Sequence, residues 1–372
     1  MSISTSLEIP ERILLGPGPS MVHPRVLRAM GQPVLGHLDP QFLALMSEIQ
    51  RQLRSVFETK NEMTIPVSGT GSAAMECALS NFIEPGDSVI ICVNGYFGTR
   101  MCDMAARYGA SVRRLDRRWG DVFSFDEIEA ELHQGGPAKL VALVHAETST
   151  GALQPIEGLS EIVHRYGAFL LIDCVTSLGG VPVKVDEWDV DIAYSGTQKC
   201  LGAPPGLGPV TVGPRALEVL RNRKVPVGNW YLDLTLLDRY WGDARTYHHT
   251  APISMNYALY EALQIVREEG LEARFARHRR HAEMLWQGLE EMDLAMHVPL
   301  KHRLPMLTTV RIPEGINDAA LRARLLKEYN IEIAGGFGEL VGKIWRMGLM
   351  GYSSRPENVT LLLGALKDLL SR

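Results

Sequence analysis

From about residue 63 the chain alternates short apolar runs with amphipathic stretches. The runs at 88–93, 140–145, 169–173, 192–195 and 209–212 are continuous instead of alternating, the pattern of parallel strands covered on both faces. Between them, 99–108 and 159–166 carry helical periodicity, and Gly109 and Gly167 follow where a left-handed residue closes a helix. Upstream, Phe42, Leu45, Met46, Ile49, Leu53 and Val56 recur at helical spacing and predict an amphipathic helix over 42–57. After Pro214 the alternation weakens. A long helical stretch over 254–289, interrupted near Gly270, leads into a strand-and-helix section. The last helix, 356–370, sets Val359, Leu362, Leu363, Leu366 and Leu370 on one face, so the end of the chain is expected to dock. The expected fold is α/β: a doubly wound, mostly parallel sheet flanked by helices, followed by a smaller C-terminal α/β domain. The expected boundaries are an N-terminal arm over 1–20, shaped by Gly16-Pro-Gly-Pro-Ser20, a large domain over 21–269 and a small domain over 270–372.

Composition narrows the classes. At 46% hydrophobic and 22% charged residues over 372 positions, the chain can bury a sizeable core. Lysine and arginine number 38 against 43 acids, a formal charge of −5, so the basic surplus of a nucleic-acid or anionic-membrane binder is missing. The five cysteines, Cys77, Cys92, Cys102, Cys174 and Cys200, form no CxxC pair and mostly sit in apolar runs, as reduced thiols do. No stretch approaches 18 apolar residues, and 1–12 holds no apolar signal core, so neither membrane insertion nor export is expected and the cytoplasm is the expected location.

Candidate chemistry begins at Gly69-Thr-Gly-Ser-Ala-Ala74, a GxGxxA turn that follows an apolar run and opens a helix. Alone, it suits a dinucleotide or a single phosphate. A dinucleotide also needs an acid at the end of the next strand, and 88–93 ends in Asn94-Gly95, which makes an NAD-dependent dehydrogenase the lesser alternative. Asp173 ends the run Phe-Leu-Leu-Ile-Asp, and Lys199 follows another strand in Ser-Gly-Thr-Gln-Lys-Cys-Leu-Gly, flanked by small residues. An acid beside a lysine is ordinarily a salt bridge. Here both stand at the carboxyl edge of the sheet together with a phosphate cradle. Pyridoxal phosphate requires that set: an amine for a Schiff base, an acid for the ring nitrogen and a helix N-terminus for the phosphate.

The chain resembles fold-type I, class V aminotransferases of the alanine-glyoxylate / serine-pyruvate type over nearly its whole length. The resemblance rests on Leu15-Gly-Pro-Gly-Pro-Ser20, Ser68-Gly-Thr-Gly71, Glu147-Thr-Ser-Thr-Gly151, Asp173-Cys-Val175 with Ser177-Leu-Gly-Gly180, Ser195-Gly-Thr-Gln-Lys199, Tyr247-His-His-Thr250 and Arg346-Met-Gly-Leu-Met-Gly351. It implies that Lys199 bonds the cofactor covalently and shuttles the substrate proton, while Asp173 keeps the ring nitrogen protonated. It further implies that Ser149 meets the ring hydroxyl, that Phe97 and Val175 cover the two ring faces, and that Thr70, Gly71, Ser72 and Gln198 hold the phosphate. Tyr247 and Thr250 would reach the phosphate of the other subunit of a homodimer, and Arg346 would clamp the substrate carboxylate. Ser72 and Phe97 stand where one well-known member of the resembled family carries histidine and tryptophan. The implied reaction is ping-pong transfer of an amino group from alanine or serine to glyoxylate or pyruvate; another class V transaminase with a different donor is the alternative within the family.

The remaining signals carry less. His248-His249 has no third ligand nearby and is read as surface or interface, with no metal expected. Arg277-His-Arg-Arg-His281 is read as a solvated basic helix face. Ser195 stands four residues before Lys199, which removes a serine-hydrolase SxxK motif. A cysteine desulfurase needs a thiol on a late loop, and no cysteine follows Cys200. A silent binding protein of this fold would be expected to lack Lys199.

Overall fold

Continuous apolar runs bury both faces of a sheet, and seven strands do so here. In the computed structural model, which describes residues 8–371, they lie in the order Met63–Ser68, Leu207–Val212, Ile192–Tyr194, Phe169–Asp173, Leu140–Val144, Ser88–Val93, Ser111–Asp116. Residues 1–7 of the expected arm, and with them most of the segment read for an export signal, lie outside the described residues, as does Arg372. All neighbours pair in parallel except Leu207–Val212, which is antiparallel to both of its own. The fold is therefore the α/β arrangement expected from the sequence.

Because side chains alternate across a strand, one sheet feeds two cores. Val89, Ile91, Val93, Ala142 and Leu171 face one, with the helices Gly71–Phe82 and Tyr96–Arg107 packed on them. Ile90, Cys92, Val141, Leu143 and Ile172 face the other, beneath Phe125–Gln134, Leu159–Arg165 and Ile253–Glu269. Each fully buried Val, Leu or Ile contributes about 1.5–3 kcal/mol. Four of the five cysteines are buried and all five are free, so they pack as small apolar groups.

A third core surrounds the antiparallel strands Leu307–Arg311, Ile344–Gly348 and Ala334–Gly335, under the helices Leu271–Glu290, Asp318–Tyr329 and Pro356–Ser371. The arm joins it from the far end of the chain. Its strand Ile13–Leu14 runs parallel beside Ile331–Glu332, and Leu15 is fully buried in this core. Further along, Ser20 binds the loop that carries the lysine, its N–H donating to the Gln198 carbonyl and its Oγ to the Lys199 carbonyl, both at 2.9 Å.

Two elements escape the periodicity argument. Ser111–Asp116 is an edge strand, half-exposed and carrying Arg113 and Arg114, so it offers no apolar run. Phe125–Gln134 is announced only by its capping box, Ser124 with Glu127. The first amphipathic helix begins at Pro40, two residues before its first apolar position, because Asp39 caps it by accepting from the Gln41 N–H at 2.8 Å.

The reading of 277–281 as a solvated face is corrected, and so is a surface place for His248. The run 277–281 is not a solvated face: His278 and His281 are buried and only Arg279 and Arg280 are exposed. The helix lies between the sheet and the C-terminal section, so His278 donates from Nδ1 to the Arg274 carbonyl and accepts the Gly351 N–H, while Arg277 binds Glu269 and the carbonyls of Gly351 and Ser354. His248 is likewise buried, stacked on Trp230 with ring centroids 4.4 Å apart.

Candidate active site

Parallel strands deliver their carboxyl ends to one edge of the sheet, where the loops that follow them meet. A cavity of about 260 Å³ opens there. Gly71, Ser72 and Phe97 line it from the two helices, Asp173 and Val175 from a strand end, and Gln198 and Lys199 from the next loop. Arg346 enters from the antiparallel sheet, and Pro17 and Gly18 from the arm. A larger cleft of about 810 Å³ lies elsewhere, but its central charges satisfy each other: Asp191 accepts from Arg215 at 2.7 Å and pairs with His164 at 2.9 Å.

Asp173 is buried and held by two donors, the Val175 N–H on Oδ1 and the Tyr194 hydroxyl on Oδ2, each at 2.8 Å. Burial outweighs them and pushes its carboxyl up to about 7. A cation placed against it would reverse that shift. The Lys199 amine donates to the Pro17 carbonyl. Burial, then the Arg346 guanidinium, pulls it down to about 8, so a fraction of it is neutral near physiological pH. Gly18 permits the close approach: at φ +110°, a Cβ there would lie 2.6 Å from the Lys199 Nζ.

The helix Gly71–Phe82 starts at the cavity with Thr70 as its N-cap and no side-chain cap; the Ala73 N–H donates to the Thr70 carbonyl at 2.9 Å, and the N–H groups of Gly71 and Ser72 remain for a ligand. Thr70 itself is exposed and does not line the cavity. Gln198 carries a buried side-chain oxygen with no partner, which marks a place for a polar ligand group. Arg346 is aimed by the strand Ile344–Gly348; its Nε donates to the Gly335 carbonyl at 2.7 Å and its Nη1 to the Thr148 carbonyl at 3.3 Å, with the guanidinium 4.0 Å from the Phe337 ring centroid. Its remaining Nη2 is available to a carboxylate.

Ser149 is fully buried behind this wall, where its Oγ donates to Glu147 at 2.6 Å and accepts the Tyr96 N–H at 2.9 Å. Tyr247 and Thr250 are exposed and lie outside the cavity. Their loop is anchored at the phosphate turn by His249, whose Nε2 lies 2.7 Å from the Ser68 Oγ.

Four residues that belong here carry little sequence signal. Glu147 is a fully buried carboxylate that accepts the N–H groups of Ser149 and Phe97, and a Cβ on Gly95 would lie 2.3 Å from its Cδ. Its place at the head of Glu-Thr-Ser-Thr-Gly, just after a strand, is the clue. Tyr194 is the one polar tip in an apolar strand. Arg100 and Phe337 arrive from a helix face and a distant loop.

Residues 13–355 match the family described as aminotransferase class-V. The chain is a class-V aminotransferase. It is 42% identical to the (S)-ureidoglycine–glyoxylate transaminase of Bacillus subtilis, covering 100% of this chain and 94% of that protein. It is 41% identical to the alanine–glyoxylate aminotransferase of Rattus norvegicus, covering 99% and 90%. The crystal structure of an alanine–glyoxylate aminotransferase from Nostoc sp. superposes with a TM-score of 0.97 at 54% identity, covering 100% of this chain and 98% of that one.

The aminotransferase uses pyridoxal phosphate, and its residues fit that group. The cavity offers a buried acid for the ring nitrogen, an amine, an uncapped helix turn for the phosphate and an aromatic wall. The nicotinamide alternative finds no support: Asn94, standing where a ribose-binding acid is needed, gives its amide to the Asp121 carbonyl at 2.8 Å. Among the described residues, no three His, Cys, Asp or Glu side chains lie together to hold a metal, and no helix is long and apolar enough to cross a membrane.

Proposed function

We propose that the aminotransferase moves the amino group of a small uncharged amino acid, alanine or serine, to a small 2-oxo acid, glyoxylate or pyruvate. The observation that carries this is the cation count. Lys199, Arg346 and Arg100 are the cavity's three cations, and Arg346 is the one anchored on two backbone carbonyls with a nitrogen left for a carboxylate, while Arg100 stands with Ser72 at the helix start. A donor with a second acid would need a second such cation to offset its desolvation. Glyoxylate appears in the names of both kinds of relative, which supports it as the acceptor, whereas their donors differ. A second donor reading, (S)-ureidoglycine, is supported by the 42% identity to the Bacillus subtilis protein.

When bound, pyridoxal phosphate supplies a conjugated ring that takes up the electron pair left as the donor's Cα loses its proton. The rest falls to the chain. Arg346 fixes the donor carboxylate through the planar fork of its guanidinium. Lys199 is neutral in part and restrained by Pro17, so its Nζ can take the Cα proton and return it. Asp173, itself held by Tyr194 and Val175, maintains a proton on the ring nitrogen by presenting a negative charge to it. Phe97 and Val175 bound the ring space and keep water from it.

Half-reaction kinetics test the substrate class. Following loss of the visible absorbance of the cofactor-loaded enzyme, alanine and serine should react with the higher kcat/KM. Arg346→Lys should lower that value by about 10- to 100-fold, because the fork geometry is lost. Faster conversion by aspartate or glutamate would overturn the proposal, and faster conversion by (S)-ureidoglycine would select the second reading.

The proposal includes a homodimer with shared sites. Tyr247 and Thr250 are exposed beside Trp230 and Tyr231, which are 63% and 42% exposed, an aromatic surface suited to a second copy. Mixing inactive Lys199→Ala chains with an inactive Tyr247→Phe/Thr250→Ala variant should restore activity in hybrid dimers, each of which regains one complete site. No recovery, with hybrids shown to form and the double variant shown to lose cofactor, would count against sharing.

A further inference from the structure

One cavity cation, Arg100, has no role in the proposed reaction. Arg100 stands on the helix Tyr96–Arg107 three residues after Phe97, so both side chains leave the helix on the same side. Its guanidinium lies 4.9 Å from the Phe97 ring centroid and 5.2 Å from that of Tyr96. Nη1 donates to the Ser72 Oγ at 2.7 Å, its one hydrogen bond among the described residues. No carboxylate among those residues pairs with it. An arginine half-buried against a cavity wall without a counter-charge is costly unless a ligand brings the anion.

The surroundings say which anion. Ser72 is the second residue of the uncapped helix Gly71–Phe82, and Gln198, with its unpartnered side-chain oxygen, stands on the same wall. Half a turn of that amide exchanges the oxygen for a donor. Of the other two cations, Lys199 donates to the Pro17 carbonyl, and Arg346, anchored on the carbonyls of Gly335 and Thr148, keeps its remaining nitrogen for the substrate carboxylate. A phosphate carrying nearly two charges in a partly dry site needs more than backbone dipoles to balance it.

We propose that Arg100 is the charged ligand of the cofactor phosphate, its free nitrogens reaching the anion while Nη1 orients the Ser72 hydroxyl toward it. This rests on the reading of the cavity as the pyridoxal phosphate site. It gives position 72 a hydroxyl positioned by its own arginine, and it removes Arg100 from the cations open to a second substrate carboxylate.

The experiment compares two ligands that differ only in the phosphate. Apoenzyme of the wild type, Arg100→Gln and Arg100→Met is titrated with pyridoxal phosphate and with pyridoxal, reading the absorbance of the Lys199-linked chromophore. The dissociation constant for pyridoxal phosphate should rise by about 10- to 100-fold in both variants, the range for losing one charge-assisted hydrogen bond. That for pyridoxal should change by less than about threefold. Equal weakening of both ligands would assign Arg100 to shaping Phe97 and Tyr96 and overturn the proposal, as would no weakening of either. Arg100→Gln keeps a donor for Ser72, so it stands as the test if Arg100→Met fails to fold. Failure of the wild type to form the chromophore with pyridoxal phosphate would instead strike at the cofactor reading, and the proposal would fall with it.

Discussion

Lys199→Ala should lower the alanine half-reaction by at least about 10³-fold while leaving the fold intact, because both covalent attachment and proton transfer lose their only amine. The other cations of the cavity are arginines, which stay protonated and cannot take over. Arg346, the nearer in effect, has its guanidinium pulled down only to about 10 by burial. The fold should survive because the loop around position 199 is held by backbone contacts that the substitution leaves in place: the 198 and 199 carbonyls accept from Ser20, and the Cys200 carbonyl accepts from Arg274. Stopped-flow absorbance with saturating alanine, beside a circular dichroism spectrum, reads both halves. A rate within tenfold of the wild type would contradict the assignment, and so would borohydride labelling of a different lysine in the wild type.

Asp173→Asn should cost about 10²- to 10³-fold in the same half-reaction, since an amide cannot offset a positive ring nitrogen. The two forms of the protein should respond to pH in opposite senses. In the apoenzyme the folded carboxyl titrates near 7 against 3.8 for the ordinary group, so the folded state binds the extra proton between those values. Asp173 then contributes stability that is fully present below pH 3.8 and is lost as pH rises through 7, on the order of a few kcal/mol. Asparagine does not titrate. The melting temperature of apo Asp173→Asn minus that of the wild type should therefore grow from pH 4.5 to pH 7.5, whereas the wild type should hold the cofactor more tightly at the higher pH. A difference that shrinks over that interval would show that the carboxylate is not held up by burial.

What could be read from the chain follows from how local each signal is. Phe169–Asp173 was legible because burial on both faces leaves no polar position until the acid at its end. Asp173 and Lys199 were legible for the same reason, since each is the first charged group after an apolar strand that delivers it to the edge. The edge strand Ser111–Asp116 was not, because one free side lets Arg113 and Arg114 sit where a central strand would demand apolar residues. Arg100 lies only three positions from Phe97, yet nothing along the chain tells that its guanidinium meets Ser72, 28 residues away. Phe337 comes from farther still. Positions brought in by a helix face or a remote loop depend on packing angles, which leave no period in the sequence.

The arm sets an order on the assembly of this molecule. Arg12 and Asn330, which bond each other, are 318 positions apart, and the Leu14 carbonyl accepts from Ser353. At about 5–20 residues per second, a ribosome delivers these partners on the order of tens of seconds after the arm has emerged. The seven-stranded sheet, complete by Val212, has its whole sequence well before that. Pro17 and Gly18 lie between two anchors, the pairing of Ile13–Leu14 with the last third of the chain and the Ser20 bonds to the lysine loop, so the first of these anchors exists only after nearly the whole chain has been made.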